Sequence, residues 1–240
     1  MPIYHARLRK HEEIAERTMA FHFERPSGLE FRAGQFVDLT LLHPGEMDSQ
    51  GAARTFTIAS APYEDELVLA TRMRNTAFKR VLGALPPGAE VRLEGPMGSF
   101  TLHRNPAKAA VFLAGGIGIT PFRSILRQAA VEKLSHQLYL FYSNRRPEDT
   151  AFLKELKTLA SANSHFIFVP TMTEMKNSQM PWQGNCGFIN REMLVEHFCE
   201  LHGPIYYAAG PPEMVAAMRQ MLIRLGVDDD DIRTEEFGGY

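Results

Sequence analysis

From about residue 109 onward, apolar runs of strand length alternate with stretches of helical period, and this alternation constrains the fold more than any other feature. Strands are expected at 109–114, 136–142, 165–170, 205–209 and 232–236, and helices at 121–132, 148–160, 191–200 and 212–225. Strand–helix–strand repetition returns each strand parallel to the last, so the expected architecture is a Rossmann-like parallel sheet with helices on both faces. Such sheets bind ligands beyond the carboxyl ends of their strands. The first of those ends carries Gly115-Gly-Ile-Gly118, with Thr120 and Pro121 following. Glycines there admit a phosphate, and the next helix turns its free N–H groups toward it. The run is not G-x-G-x-x-G, because Pro121 stands at the third glycine position. Proline fits position N1 of a helix opening at residue 121, where the N–H would have no intrahelical partner. Gly115, Gly116 and Gly118 are therefore the expected phosphate contacts, with Thr120 as hydroxyl donor or cap.

The second strand ends in Tyr142-Ser-Asn-Arg-Arg146, where this fold places an adenosine ribose. Ser143, Asn144, Arg145 and Arg146 offer hydroxyl, amide and guanidinium groups suited to a 2′-phosphate. No carboxylate stands directly at this strand end, and Glu148 and Asp149 read as acids at a helix N-terminus. The balance tilts toward NADPH, with NADH possible. Gly210 and Pro211 end the fourth strand and serve both a strand–helix turn and a nucleotide site.

Residues 1–103 have a different texture. Candidate strands at 3–10, 18–24, 35–41, 55–58, 67–72 and 90–94 are separated by Pro/Gly turns, with one helical stretch at 76–85. Six short strands and one helix suggest a small antiparallel β-barrel. A change of composition around 103–108 marks a boundary, giving domains at 1–103 and 104–240.

The barrel segment Arg54-Thr-Phe-Thr-Ile-Ala-Ser60 alternates as a strand does, with Arg54 and Phe56 on one face and Thr55 and Thr57 on the other. It offers a guanidinium for a pyrophosphate, an aromatic plane for a flat ring and a hydroxyl for a ring nitrogen. Thr71, Arg72 and Arg74 precede Asn75 and Thr76 at the start of the helix, where dipole and arginines together suit a pyrophosphate. An N-cap and a solvated strand face describe the same residues equally simply. Gly95-Pro-Met-Gly98 fits either a close approach to a cofactor or a turn linking the domains.

Taken in order, RTFTIAS at 54–60, GPMGSF at 95–100, GGIGITP at 115–121 and AAGPPEM at 208–214 resemble the ferredoxin–NADP reductase family of flavoproteins. The resemblance implies an FAD-binding barrel followed by an NAD(P)-binding domain. It implies that Arg54 contacts the flavin pyrophosphate, that Phe56 packs against the flavin and that the Thr57 hydroxyl faces N5. Many relatives have Tyr and Ser where this chain has Phe56 and Thr57, and Cys where it has Ala209. Plant-type relatives end in a carboxylate, a spacer and a stacking aromatic. Aligned on that pattern, Glu235 becomes a proton-handling carboxylate and Phe237 the ring over the flavin, with Tyr240 competing for the stack. The implied activity passes hydride from NADPH or NADH to FAD, then electrons singly to a separate acceptor such as ferredoxin, flavodoxin or an oxygenase component. A flavin or quinone reductase, and an electron-transfer or redox-sensing subunit inactive alone, share the same pattern.

Composition narrows the field further. A net charge of −2 with no concentrated basic run argues against nucleic acid as a partner. No stretch has the roughly 18 consecutive apolar residues of a membrane helix, and the first residues lack the apolar core of a signal peptide. Cys186 and Cys199 are too few for a four-thiolate cluster, and the histidines lack metal-ligand spacing, so no metal is expected. A reducing cytoplasm is the expected compartment.

Overall fold

The computed structural model describes residues 1–198 and 200–238. The first six strands are β1 (Ile3–Ala15), β2 (Thr18–Glu24), β3 (Phe36–Leu41), β4 (Ala53–Thr57), β5 (Glu66–Arg72) and β6 (Glu90–Met97). They form one sheet in the order β4-β3-β6-β1-β2-β5, with every pair antiparallel. An Ile58–Leu69 bridge and an Ala59 N–H bond to the Val68 carbonyl bring the end strands together, closing the barrel. Inward residues such as Phe21, Phe23, Leu39, Ile58, Leu69 and Leu93 fill it. The one barrel helix, α1 (Ala77–Gly83), is capped by Thr76, whose hydroxyl accepts from the Lys79 N–H.

β1 runs five residues beyond its expected end, through Glu12 and Glu13, because the hairpin with β2 supplies its backbone partners whatever the side chains are. Register irregularities at 8–10 and 13–15 absorb the mismatch.

The second sheet contains β7 (Ala110–Gly115), β8 (Leu138–Asn144), β9 (Phe166–Met172), β10 (Asn185–Cys186), β11 (Ile205–Gly210) and β12 (Ile232–Glu236). Its order is β10-β9-β8-β7-β11-β12 and all its pairs are parallel. The helices are α2 (Ile119–Val131), α3 (Leu153–Ala162), α4 (Arg191–Val195) and α5 (Pro212–Arg224). Strand alternation divides the apolar residues between two faces. Phe112, Leu140 and Tyr207 pack with Phe122 and Leu126 of α2, while Val111, Phe141 and Tyr206 pack with Leu194, Val215 and Leu222.

Three helix boundaries depart from the sequence expectations. Residues 116–118 form a 3₁₀ turn and α2 starts at Ile119, so Pro121 is the third helical residue and not the first. Proline is tolerated there because the first helical N–H groups have no intrahelical acceptor. The helix expected at 148–160 begins only at Leu153, because Pro147–Asp149 is a separate 3₁₀ turn and Phe152 is left-handed at φ +59°. The helix expected at 191–200 stops at Val195. The short edge strand β10 was not expected at all.

The barrel and the parallel domain meet through α2. Arg123 is 7% exposed and donates to the Ala59 carbonyl at 2.6 Å, with Glu64 and Glu155 as its carboxylate partners. The Ser124 hydroxyl donates to the Ser60 carbonyl at 2.7 Å. A guanidinium this buried is tolerable only with such partners. Ile117 and Phe152 complete the seam by packing on Ala20, Ala59, Val68 and Ala70 of the barrel.

Candidate functional site

On the barrel, Arg54 donates to the carbonyl groups of Gln50, Gly51 and Ala53 and to the Asp48 carboxylate. Its guanidinium also lies 4.9 Å from the centre of the Phe78 ring. The loop before β4 thus wraps the arginine and fixes its position. Phe56 enters the barrel core, stacked on Phe78 with ring centres 6.0 Å apart and only 7% of the residue exposed. The sequence suggested an open aromatic plane; barrel packing leaves a ligand little of the ring. Thr55 faces outward and donates to Asp38, whereas Thr57 is buried.

Thr71 and Arg72 end β5, and Arg74 is exposed before the Thr76 cap. The seven residues of α1 give a weak dipole, so the positive field here comes from side chains. Sequence reasoning passed over the residue that shows this most clearly. Lys79 donates from Nζ to the Arg72 carbonyl at 2.5 Å. Burial, together with the charges of Arg74, Arg54 and Arg72, pushes its ammonium down to about 8. Four cations crowded until one of them gives up its proton more readily form a cradle that a dianionic pyrophosphate would relieve. The residues therefore fit a flavin dinucleotide. Lys79 gave a faint signal in the sequence: a cation on the first turn of a short helix, seven residues after the strand end at Arg72.

In the parallel domain, the turn after β7 interlocks with the turn after β11. A Cβ on Gly118 would stand 2.3 Å from the Ala209 carbonyl oxygen and 2.6 Å from the Gly210 nitrogen. Gly210 itself sits at φ +153°, against the backbone of Gly115. Pro211 caps α5 and also touches the space beside Gly115. Gly116 lies in the same 3₁₀ turn. The Thr120 hydroxyl donates to the Ile117 carbonyl at 3.1 Å, which commits its proton within the turn; it does not cap α2, whose N-cap is Gly118.

At the end of β8, Ser143 is half-buried and the side-chain amide of Asn144, 6% exposed, has neither oxygen nor nitrogen paired. A buried unpaired amide is costly unless something arrives to meet it, so this end also fits a polar ligand such as a nucleotide. Arg145 is exposed, with Nε 3.7 Å from Glu174. Arg146 is held by both oxygens of Asp149, at 2.8 and 3.1 Å, and by Glu16 at 2.8 Å. Glu148 and Asp149 are acids of the 3₁₀ turn at Pro147–Asp149 and not of α3, and both also hold groups outside that turn. Glu148 accepts from the Ser178 hydroxyl and from the N–H groups of Gln179 and Met180.

On β12, Glu235 pairs in register with Ala209. Its Oε2 is buried and unpaired, and burial raises its carboxyl from 4.5 to about 7. Phe237 donates its N–H to the Gly210 carbonyl and packs against the α2-side core. Tyr240, the other stacking candidate, lies outside the described residues.

The Glu235 shift predicts a sign. Below pH 4.5 the carboxyl is neutral in folded and unfolded chains alike, and the cost of ionising it in the folded state grows as pH rises toward 7. Glu235→Gln should match the wild type at pH 4.5 and exceed it by up to about 3 kcal/mol at pH 8 in urea unfolding. A stability difference that does not change with pH would refute the assignment.

The barrel cradle and the strand ends are contiguous. Arg72 reaches Asp149 at 3.5 Å, and Ile117 of the glycine turn packs on β5 residues Val68 and Ala70. A cavity of about 1090 Å³ lies elsewhere, between the barrel and α2–α3, and includes none of the residues expected from the sequence to bind cofactor. Its walls carry the Arg123, Arg127 and Glu155 ion pairs of the seam.

A barrel with a cationic cradle, joined to a parallel sheet with a glycine-lined turn, is the arrangement expected of a chain that binds a flavin and a nicotinamide nucleotide. Comparison with known proteins agrees. Residues 5–102 match the family model described as "Oxidoreductase FAD-binding domain", and residues 112–220 match "Oxidoreductase NAD-binding domain". The chain belongs to the ferredoxin–NADP reductase family of FAD- and NAD(P)-dependent oxidoreductases. It is 29% identical over 230 residues to the glycine betaine monooxygenase reductase subunit of Chromohalobacter salexigens, covering 92% of this chain and 60% of that protein. It is also 29% identical to ferredoxin–NADP reductase B of Sorangium cellulosum, covering 98% of this chain and 97% of that one. The solved Amycolatopsis cytochrome P450 reductase superposes with a TM-score of 0.83 at 27% identity, over 98% of this chain and 70% of that one. Among the described residues, no helix is long and apolar enough to cross a membrane.

Proposed function

We propose that this chain is an NAD(P)H-dependent reductase whose residues 1–103 hold FAD and whose residues 104–240 hold the nicotinamide nucleotide. Its acceptor is a separate redox protein, a ferredoxin, flavodoxin or oxygenase component, in a reducing cytoplasm. When bound, the flavin takes hydride from the nicotinamide and releases the electrons one at a time. The chain's own residues bind, orient and exclude water. Arg54, Arg72, Arg74 and Lys79 neutralise the flavin pyrophosphate. Gly115, Gly116 and Gly118 receive the nicotinamide nucleotide's phosphates at the start of α2. Thr57 supplies a buried hydroxyl to the flavin ring, and Glu235 holds a proton near neutral pH beside Ala209. Phe237 stands beside it as the candidate ring over the flavin.

The observation that carries this reading is the continuity of the two half-sites, with Arg72 of the cationic cradle bonded to Asp149 of the nucleotide domain. The test is an anaerobic visible spectrum of the purified protein before and after one equivalent of NADH or NADPH. A flavin spectrum bleached by either nucleotide is the expected result. Bound flavin that neither nucleotide bleaches would end the reductase reading, and a colourless protein that takes up no FAD would end the flavin assignment.

A further inference from the structure

The end of β8 is where a parallel nucleotide-binding sheet meets the adenosine ribose, and the groups gathered there decide between a ribose diol and a 2′-phosphate. A 2′-phosphate needs free cationic donors. Here Arg146, the half-buried one of the two strand-end arginines, is already engaged by two carboxylates and leaves only Nη1, 3.5 Å from the Asn177 carbonyl, lightly held. Its Nε and Nη2 grip Asp149 as a bidentate pair, and Nη2 also reaches Glu16 at 2.8 Å.

Glu16 does not belong to the nucleotide domain. It sits at the tip of the β1–β2 hairpin of the barrel, and its backbone N–H donates to the Glu148 carbonyl at 2.8 Å. The hairpin tip is thus docked onto the strand end and delivers a carboxylate there from the other domain. Arg72, also from the barrel, reaches Asp149 at 3.5 Å. Glu16, Asp149 and Glu174 thus pair with Arg72, Arg145 and Arg146. Arg145 and Lys176 lie out in solvent, where screening weakens what a lone cation offers a phosphate.

We infer that Glu16 is a specificity-determining residue: by holding Arg146 onto Asp149 it closes the strand end to a 2′-phosphate and selects the unphosphorylated ribose of NADH. A carboxylate has about four acceptor sites, so Asp149 keeps capacity for a ribose hydroxyl while paired to both arginines. A 2′-phosphate would have to break charge-assisted bonds and then stand beside Asp149 and Glu16, charges of its own sign. The unpaired amide of Asn144, buried on the same strand end, is the neutral group available to the adenosine. This inference rests on the nucleotide-binding reading of the α/β domain, and it reverses the slight NADPH tilt that the arginine-rich sequence suggests.

The test titrates flavin-loaded protein with adenosine 5′-diphosphate and with adenosine 2′,5′-bisphosphate by calorimetry, alongside anaerobic flavin reduction by NADH and NADPH. The wild type should bind the 2′-phosphorylated probe no more tightly than adenosine diphosphate, and NADH should reduce the flavin at least tenfold more efficiently. Glu16→Gln, a change on an exposed side chain, should tighten the 2′-phosphorylated probe at least fivefold and leave adenosine diphosphate binding unchanged. A wild type that binds the 2′-phosphorylated probe tenfold more tightly would overturn the inference, as would a Glu16→Gln protein with an unaltered ratio. If neither nucleotide reduces the flavin, the reductase reading falls, while the ratio of the two probes still judges the ribose site.

Discussion

Alanine at position 118 is expected to unseat both the glycine turn and the strand beside it. A single methyl group there would stand 2.3 Å from the Ala209 carbonyl oxygen, 2.5 Å from its carbon and 2.6 Å from the Gly210 nitrogen. All three are backbone atoms, so no side chain can rotate away. Neither backbone can retreat easily, because Ala209 is a fully buried residue of an interior strand and Ile119 and Phe122 anchor the start of α2 in the core. Overpacking of this kind costs about 1–3 kcal/mol. It also displaces the N–H groups at the start of α2 that are proposed to face the nucleotide phosphates. Gly118→Ala should therefore lower the urea midpoint and raise the KM for the reducing nucleotide at least tenfold, while FAD stays bound. Gly45, with open space around it, is the control. Wild-type stability and KM in Gly118→Ala would show that the contact between the turns is slack.

Replacing Lys79 by methionine should weaken FAD binding by about one to two orders of magnitude, the range expected for one charge-assisted hydrogen bond. Methionine keeps most of the apolar stem that α1 buries, so the barrel should still fold. A second readout separates binding from packing. The folded ammonium is depressed to about 8, so holding it charged costs stability below that pH, and the cost disappears as pH rises toward 10.5. A bound pyrophosphate would pull the value back up. Wild-type protein should accordingly take up protons when FAD binds between pH 8 and 9, seen as buffer-dependent heats in calorimetry. Lys79→Met should take up none. Unchanged FAD affinity and unchanged proton uptake together would remove Lys79 from the site.

The α/β half was the more legible because its signals are local. Apolar runs such as 110–114 are long enough to be read alone, and the glycines at 115–118 mark one strand end unambiguously. The barrel strands were found but not their lengths, since the Glu12–Ala15 end of β1 is held by its hairpin partner and carries no apolar pattern. What the sequence concealed were relations between distant residues. Arg145-Arg146 reads as a cationic strand end until Glu16, 130 positions away, is placed against it. Phe56 reads as an available aromatic plane until Phe78 closes over it. Lys79 acquires its character only from Arg54, Arg72 and Arg74, drawn together by the closing of the barrel.

Helix α2 works as a fixed gauge. Its first turn is the one proposed to face the nucleotide phosphates, and one turn later Arg123 and Ser124 are bolted to the carbonyls of Ala59 and Ser60, two and three residues beyond Thr57. The separation between the two cofactor seats is therefore written into a few backbone-anchored bonds and does not depend on a hinge. Turnover in such a molecule should be insensitive to solvent viscosity at the step that joins nicotinamide to flavin.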